Sequence, residues 1–193
     1  MKENLNILFV GLGSIGQRHI RNLKKILKNN VNFFAFRKKN RKTLLDDKGK
    51  KINGSVEKKY NIKILKNLEN VNNNEIDIIF ITNPSSLHFK TILKLKKFKD
   101  KYIFIEKPLD SSLNKYKEFT TFIKKNNVQT FMGYNLRFHE CVQKTKEILY
   151  NNNLGKILKA NFYYGDNLKN WHKYENYKIG YAAKKNLGGG IIL

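Results

Sequence analysis

The glycines at 11, 13 and 16 follow the apolar run Ile7 to Val10 and lead directly into a helical pattern. Each has its own task in such a turn. Gly11 permits the sharp exit from the strand, Gly13 lets main chain approach a diphosphate, and Gly16 lets the helix pack closely on the strand. The N–H groups that open the helix, those of Ser14 and Ile15 among them, then face an anion. Strand, glycines and helix stand in the order a dinucleotide-binding turn requires, and that order carries more weight than the glycine spacing alone. Farther along, Lys107 lies between Glu106 and Pro108 at the end of another apolar run. The proline disfavours helical geometry at the lysine and holds it at the strand end. An ammonium group beside a nicotinamide can stabilise or protonate an oxygen while hydride moves to or from its carbon. A surface lysine paired with Glu106 is the alternative.

Thr82, Asn83 and Pro84 close a further apolar run. With Glu106 and Lys107 they fall at the carboxyl ends of strands, the edge where open α/β sheets bind ligands. Which dinucleotide is expected depends on the end of the second strand, where an NAD binder usually carries a carboxylate for the ribose 2′-hydroxyl. Here the residues are Phe36, Arg37, Lys38 and Lys39, with Arg41 close behind. Arg37 can pair with a 2′-phosphate, which favours NADP over NAD; a solvated basic turn is the alternative.

The elements that must position these residues follow from periodicity. A first helix is expected from about 15 to 28, with Ile20, Leu23, Ile26 and Leu27 toward the sheet. A second strand follows at 32–36. The runs 77–82 and 102–106 are nearly all apolar, as in parallel strands covered on both faces. Helices are expected over 86–98 and 111–125, and a strand over 128–134. The stretch 41–71 predicts a short helix near Thr43 and a strand at 61–65. Such alternation predicts a doubly wound parallel sheet. After a helix at 141–150, Leu158, Ala160, Phe162 and Tyr164 alternate with their neighbours, the pattern of a half-exposed antiparallel strand. The expected division is a dinucleotide-binding domain over 1–135 and the incomplete beginning of a second domain over 136–193.

The chain has 193 residues, 40% of them hydrophobic, enough for one α/β domain and the start of another. The formal charge of +24 rests on lysines scattered over expected helix exteriors, beside runs of asparagine at 72–74 and 151–153. A bias toward Lys, Asn and Ile accounts for it, so no specific nucleic-acid partner is expected, only nonspecific attraction at low salt. The few arginines, at 18, 21, 37, 41 and 137, are expected to mark places that need a planar guanidinium, with the alternative that five positions are too few to carry meaning. The one cysteine, Cys141, rules out a disulfide framework, and the four histidines, at 19, 88, 139 and 172, lack metal-ligand spacing, so no metal is expected. No run reaches the ~18 apolar residues of a membrane span. A cytoplasmic protein without a membrane partner is expected.

Together the motifs Gly11-Leu12-Gly13-Ser14-Ile15-Gly16, Asn83-Pro84 with Ser86 and His88, Glu106-Lys107-Pro108, Gly133 through Tyr134, Asn135, Leu136 and Arg137 to Phe138, and Gly188-Gly189-Gly190 resemble the Gfo/Idh/MocA family of NAD(P)-dependent oxidoreductases. The resemblance implies a Rossmann domain followed by an open antiparallel α+β domain. It implies His88 among the cofactor residues, Lys107 between nicotinamide and substrate, a lysine-proline bond that is often cis, and Tyr134, Asn135 and Arg137 around the substrate entrance. It also implies a small sugar-like substrate such as a sugar, an inositol or a sugar nucleotide, and a homo-oligomer for a full-length version. In the family, the triple glycine leads to an Asp and then an acid/base His; here Ile191, Ile192 and Leu193 follow. A fragment that binds dinucleotide but turns substrate over slowly is therefore expected, since loss of a general acid/base costs ~10²–10⁴-fold. A non-catalytic dinucleotide-binding module is the alternative, and a basic nucleic-acid binder is supported by charge alone.

Overall fold

A computed structural model describes residues 4–37, 43–69 and 71–190. Six short strands form an all-parallel sheet: β1 (Leu5–Val10), β2 (Val31–Phe36), β5 (Ile62–Leu65), β6 (Ile78–Ile81), β7 (Tyr102–Ile105) and β8 (Gln129–Met132). Their spatial order is β5-β2-β1-β6-β7-β8, so the winding reverses between β1 and β6. This is the doubly wound arrangement expected from the apolar runs.

Alternation along each strand divides the core between two faces. Leu8, Val10, Ile79, Ile81, Ile103 and Ile105 meet α3 (His88–Leu93) and α4 (Tyr116–Lys125) through Phe89, Ile92, Phe119 and Phe122. On the other face, Ile7, Phe9, Phe33, Ala35 and Phe80 meet Ile20 of α1 (Ser14–Leu27) and Val56 of α2 (Val56–Tyr60). Each buried Val, Leu, Ile or Phe side chain stabilises by about 1.5–3 kcal/mol. The register sets Phe9, Phe80 and Phe104 side by side on adjacent strands, with ring centroids 4.8 and 4.9 Å apart.

The structure departs from the sequence pattern in several places. Ile26 is 73% exposed: Ile20, Leu23 and Leu27 share the inner face of α1, and position 26 lies off that stripe. In place of a helix near Thr43, β3 (Leu44–Leu45) pairs antiparallel with β4 (Lys51–Ile52). Buried Gln17 of α1 fixes this piece, donating to Thr43 O at 2.8 Å and accepting from Leu45 N at 2.9 Å. The helix expected over 86–98 is α3 flanked by a 3₁₀ turn at Ser85–Leu87 and by turns whose i to i−3 bonds keep Leu95 and Phe98 buried. α4 starts at Tyr116 rather than 111 because the Asp110 carboxylate takes the N–H groups of Ser111 and Ser112, and Ser112 Oγ takes that of Asn114. Such local bonds compete with a helix start.

After α5 (Glu140–Tyr150) the strand expected at 157–165 does not form. Leu158 is 88% and Phe162 92% exposed, and among the described residues no strand pairs with this segment. Alternation selects a face only when a neighbouring strand supplies the hydrogen bonds. Past α6 (Leu168–Trp171), residues 172–190 fold back onto the carboxyl edge of the parallel sheet. No helix among the described residues is long and apolar enough to cross a membrane.

Candidate functional site

The strand register brings the sequence motifs into one row. Val10 lies between Phe36 and Ile81, Ile81 beside Ile105, and Ile105 beside Met132. The next residues, Arg37, Gly11, Thr82, Glu106 and Gly133, therefore sit side by side along the carboxyl edge. Main-chain bonds extend the ladder through them: Gly11 N donates to Phe36 O, Thr82 N to Val10 O, Glu106 N to Ile81 O and Gly133 N to Ile105 O, all at 2.8–3.0 Å.

At the winding reversal the three glycines face different surroundings. Gly11 has φ +105°, and a Cβ there would lie 2.8 Å from Asn83 N and Thr82 O. A Cβ on Gly16 would lie 2.6 Å from Gly11 O, while Thr82 Oγ1 donates to the same oxygen at 2.7 Å. Those two glycines hold strand and helix together. At Gly13 nothing lies within 4 Å of a Cβ, so the space above the loop is open. α1 begins there with no side-chain cap and no acidic residue in its first turn. The first-turn N–H groups of Ser14, Ile15 and Gly16 have no intrahelical acceptor, which suits an anion.

Across the reversal, Asn83 Nδ2 donates to Thr91 Oγ1 at 2.7 Å, while its Oδ1 is buried without a hydrogen-bond partner among the described residues. A buried acceptor of that kind marks a place for a donor that is not part of the fold. Pro84 opens the 3₁₀ turn and takes Leu87 N at 2.9 Å. His88 is fully buried: Nδ1 lies 3.0 Å from Pro108 O and Nε2 3.0 Å from Asn83 O. Its ring ties together the loops after β6 and β7, a holding role beneath the site.

Lys107 is exposed at the end of β7, and the Lys107–Pro108 bond is cis, as the resemblance implies. Glu106 points back beneath it. Glu106 Oε1 is 2.6 Å from His19 Nε2, and Oε2 accepts Lys107 N at 3.2 Å. His19 in turn packs on Phe80 and Phe104, with centroids 5.4 and 5.0 Å apart. The helix that begins at the glycine loop thus holds the carboxylate next to Lys107. Tyr134, Asn135 and Arg137 follow β8 in an exposed 3₁₀ turn on the same edge, the Arg137 guanidinium 5.9 Å from the Tyr134 ring centroid. Arg37 is ion-paired with Glu57 of α2. Lys38, Lys39 and Arg41, grouped with it by sequence, lie outside the described residues.

The returning segment adds two tyrosines that the sequence did not single out and brings Gly188 of the triple glycine to the same edge. Tyr174 donates to Ser14 Oγ at 2.9 Å. The Tyr181 hydroxyl meets buried Ser85 Oγ at 2.7 Å, and Ser86 Oγ donates to Asn186 O at 3.0 Å. Gly188, at φ +81°, presses so closely on Ser85 that a Cβ would overlap its hydroxyl. Two tyrosines therefore pin this segment on either side of the winding reversal. Burial, with help from nearby Glu175, raises the Tyr174 pKa above 10.0, while the Ser14 bond opposes the shift.

A family model described as an oxidoreductase family with an NAD-binding Rossmann fold matches residues 5–134. The myo-inositol 2-dehydrogenase of Thermotoga maritima is 30% identical over 152 residues, 79% of this chain and 42% of that protein. Among solved structures, a probable dehydrogenase from Thermotoga maritima is 27% identical with a TM-score of 0.60, covering 79% of this chain and 42% of that one. The WlbA dehydrogenase of Chromobacterium violaceum, in complex with NADH and UDP-GlcNAcA, shares the fold at 16% identity and a TM-score of 0.63, over 80% and 42% of the two chains. The chain spans about two fifths of the length of the curated relatives it matches.

Proposed function

We propose, on the premise that this chain belongs to the Gfo/Idh/MocA oxidoreductase family, that it carries the cofactor half of a nicotinamide-dependent dehydrogenase acting on a carbinol carbon of an inositol, sugar or sugar nucleotide. The alignment of Gly11, Thr82 and Glu106 in one row that starts at the winding reversal and runs to the end of β7 carries this reading. The residues suit a dinucleotide. The uncapped start of α1, the open space over Gly13 and the unsatisfied Asn83 Oδ1 give an anion and a polar donor places to bind. Gly13, Ser14, Ile15 and Gly16 would hold the diphosphate, and Thr82, Asn83 and Pro84 would flank the chain of the cofactor beyond it. When bound, the nicotinamide supplies the hydride donor or acceptor.

Within that frame Lys107 is the catalytic residue. Its ammonium donates a hydrogen bond to the substrate oxygen, favouring charge that builds there as the carbon–hydrogen bond changes. Glu106 and His19 position it, Glu106 by taking the Lys107 N–H and His19 by holding the carboxylate. Tyr134, Asn135 and Arg137 border the substrate entrance, and residues 136–193 open a second domain. The substrate class is supported by the inositol and sugar-nucleotide chemistry named for the relatives. A cytoplasmic homo-oligomer fits the cysteine usage and the resemblance.

The test is NADH fluorescence titration followed by turnover on inositols and UDP-sugars. Lys107→Ala is expected to leave NADH affinity within about twofold and to lower turnover by ~10²–10⁴-fold. Equal turnover would refute the role of Lys107. A second reading, a dinucleotide module without turnover, is favoured by the occupation of His19 Nε2 and of both His88 ring nitrogens within the fold and by His139 serving as the cap of α5. NADH binding with no turnover on any such substrate would select it.

A further inference from the structure

Arg37 lies immediately after β2, and Gly11 N donates to the neighbouring Phe36 O at 3.0 Å, so its place is beside the glycine loop. A dinucleotide laid across such a loop brings its adenosine ribose to the end of the second strand. The sequence offers no carboxylate there, but the fold supplies one from another element. Ser55 caps α2, its Oγ accepting from Lys58 N at 3.2 Å, and Val56 is buried against the sheet, which fixes Glu57 in the first turn. Glu57 Oε1 is buried and meets the Arg37 guanidinium, with no other partner among the described residues. The two side chains are only 13% and 20% exposed.

We propose that the Arg37–Glu57 pair sets cofactor selectivity, accepting an adenosine ribose with a free 2′-hydroxyl and disfavouring a 2′-phosphate, so that the chain prefers NAD(H) to NADP(H). This rests on the dinucleotide-binding reading above. A 2′-phosphate that takes the guanidinium must either separate it from Glu57, leaving a buried carboxylate unpaired, or settle next to that carboxylate against like-charge repulsion. A ribose hydroxyl meets neither penalty and can donate to the carboxylate. A guanidinium already held by a mostly covered carboxylate is therefore a poor phosphate receptor.

NADH and NADPH are titrated by fluorescence at about 0.15 M salt, where screening suppresses the general pull of a basic protein on the extra phosphate. The native chain is expected to bind NADH at least about tenfold more tightly than NADPH. Glu57→Gln keeps the shape and removes the charge, and is expected to shift the ratio toward NADPH by about tenfold or more. Adding Arg37→Gln to that variant is expected to cancel the gain. NADPH binding to the native chain as tightly as NADH, or a ratio unmoved by Glu57→Gln in a folded variant, would overturn the proposal. If Glu57→Gln fails to fold by circular dichroism, the native-chain ratio decides. Absence of binding by either nucleotide would instead sink the underlying dinucleotide reading.

Discussion

Gly13→Ala and Gly16→Ala each add one methyl to the same loop, yet they are expected to fail in different ways. At Gly16 the new Cβ would stand 2.6 Å from Gly11 O, a main-chain atom that cannot rotate aside. Alanine gains about 1 kcal/mol of helix propensity over glycine, while forcing a methyl into a packed contact costs about 1–3 kcal/mol. Because the obstacle is backbone, the upper part of that range applies, and the net loss is about 1–2 kcal/mol. For a chain of this size that lowers Tm by about 2–8 °C. At Gly13 nothing lies within 4 Å of the new methyl. Its cost to the fold is the poorer N-cap, below about 1 kcal/mol. On the dinucleotide-binding proposal the methyl would fill the opening through which a diphosphate reaches the amides, and losing one hydrogen bond to a charged group costs about 1.5–3 kcal/mol. At 1.4 kcal/mol per decade, NADH should bind about 10- to 100-fold more weakly. Thermal melts and NADH titrations on the two variants separate the effects. A Gly13→Ala protein that binds NADH like the native chain would refute the assignment of the loop, and a Gly16→Ala protein with a raised Tm would refute the packing argument.

Tyr174→Phe removes the bond to Ser14 and is expected to weaken docking of the returning segment by about 0.5–1.5 kcal/mol, measured as faster tryptic cleavage after the lysines at 173, 178, 184 and 185. The raised Tyr174 pKa adds a pH signature: docking is fully present below pH 10.0 and is lost as pH rises past it toward the higher folded-state value, a dependence the phenylalanine variant should lack. Urea melts from pH 8 to 11 on both proteins check it, and parallel profiles would rule it out. His19→Leu strips Glu106 of its partner at 2.6 Å and is expected to destabilise by about 1.5–3 kcal/mol, whereas His19→Gln, which keeps a donor there, should recover much of that in chemical denaturation.

The turn from β1 into α1 and the strands β6 and β7 were legible because their signals are contiguous: an apolar run, then glycines or a polar strand end. Lys107 could be placed at a sheet edge for the same reason. The pairings that organise the site were not legible, since Ser14 with Tyr174, His19 with Glu106 and Arg37 with Glu57 join residues from distant elements by single contacts. Around Arg37 the local sequence shows only further cations, because its counter-charge comes from α2. Thr43 misled because Gln17 overrides the local preference, and residues 157–165 misled because a two-residue period says nothing about the presence of a neighbour. Helix starts slipped where Asp110, Ser85 and Ser86 use their side chains on other main-chain groups.

The grip of α1 on Glu106 joins the glycine loop and the end of β7 into one mechanical unit. A shift of the glycine-loop helix has little room to dissipate, because the His19 ring is backed by Phe80 and Phe104, and the carboxylate lies so close to Gly133 that a methyl there would crowd it at 3.2 Å. Because Glu106 also accepts the Lys107 main-chain N–H, a displacement of His19 is expected to reach the main chain at the end of β7.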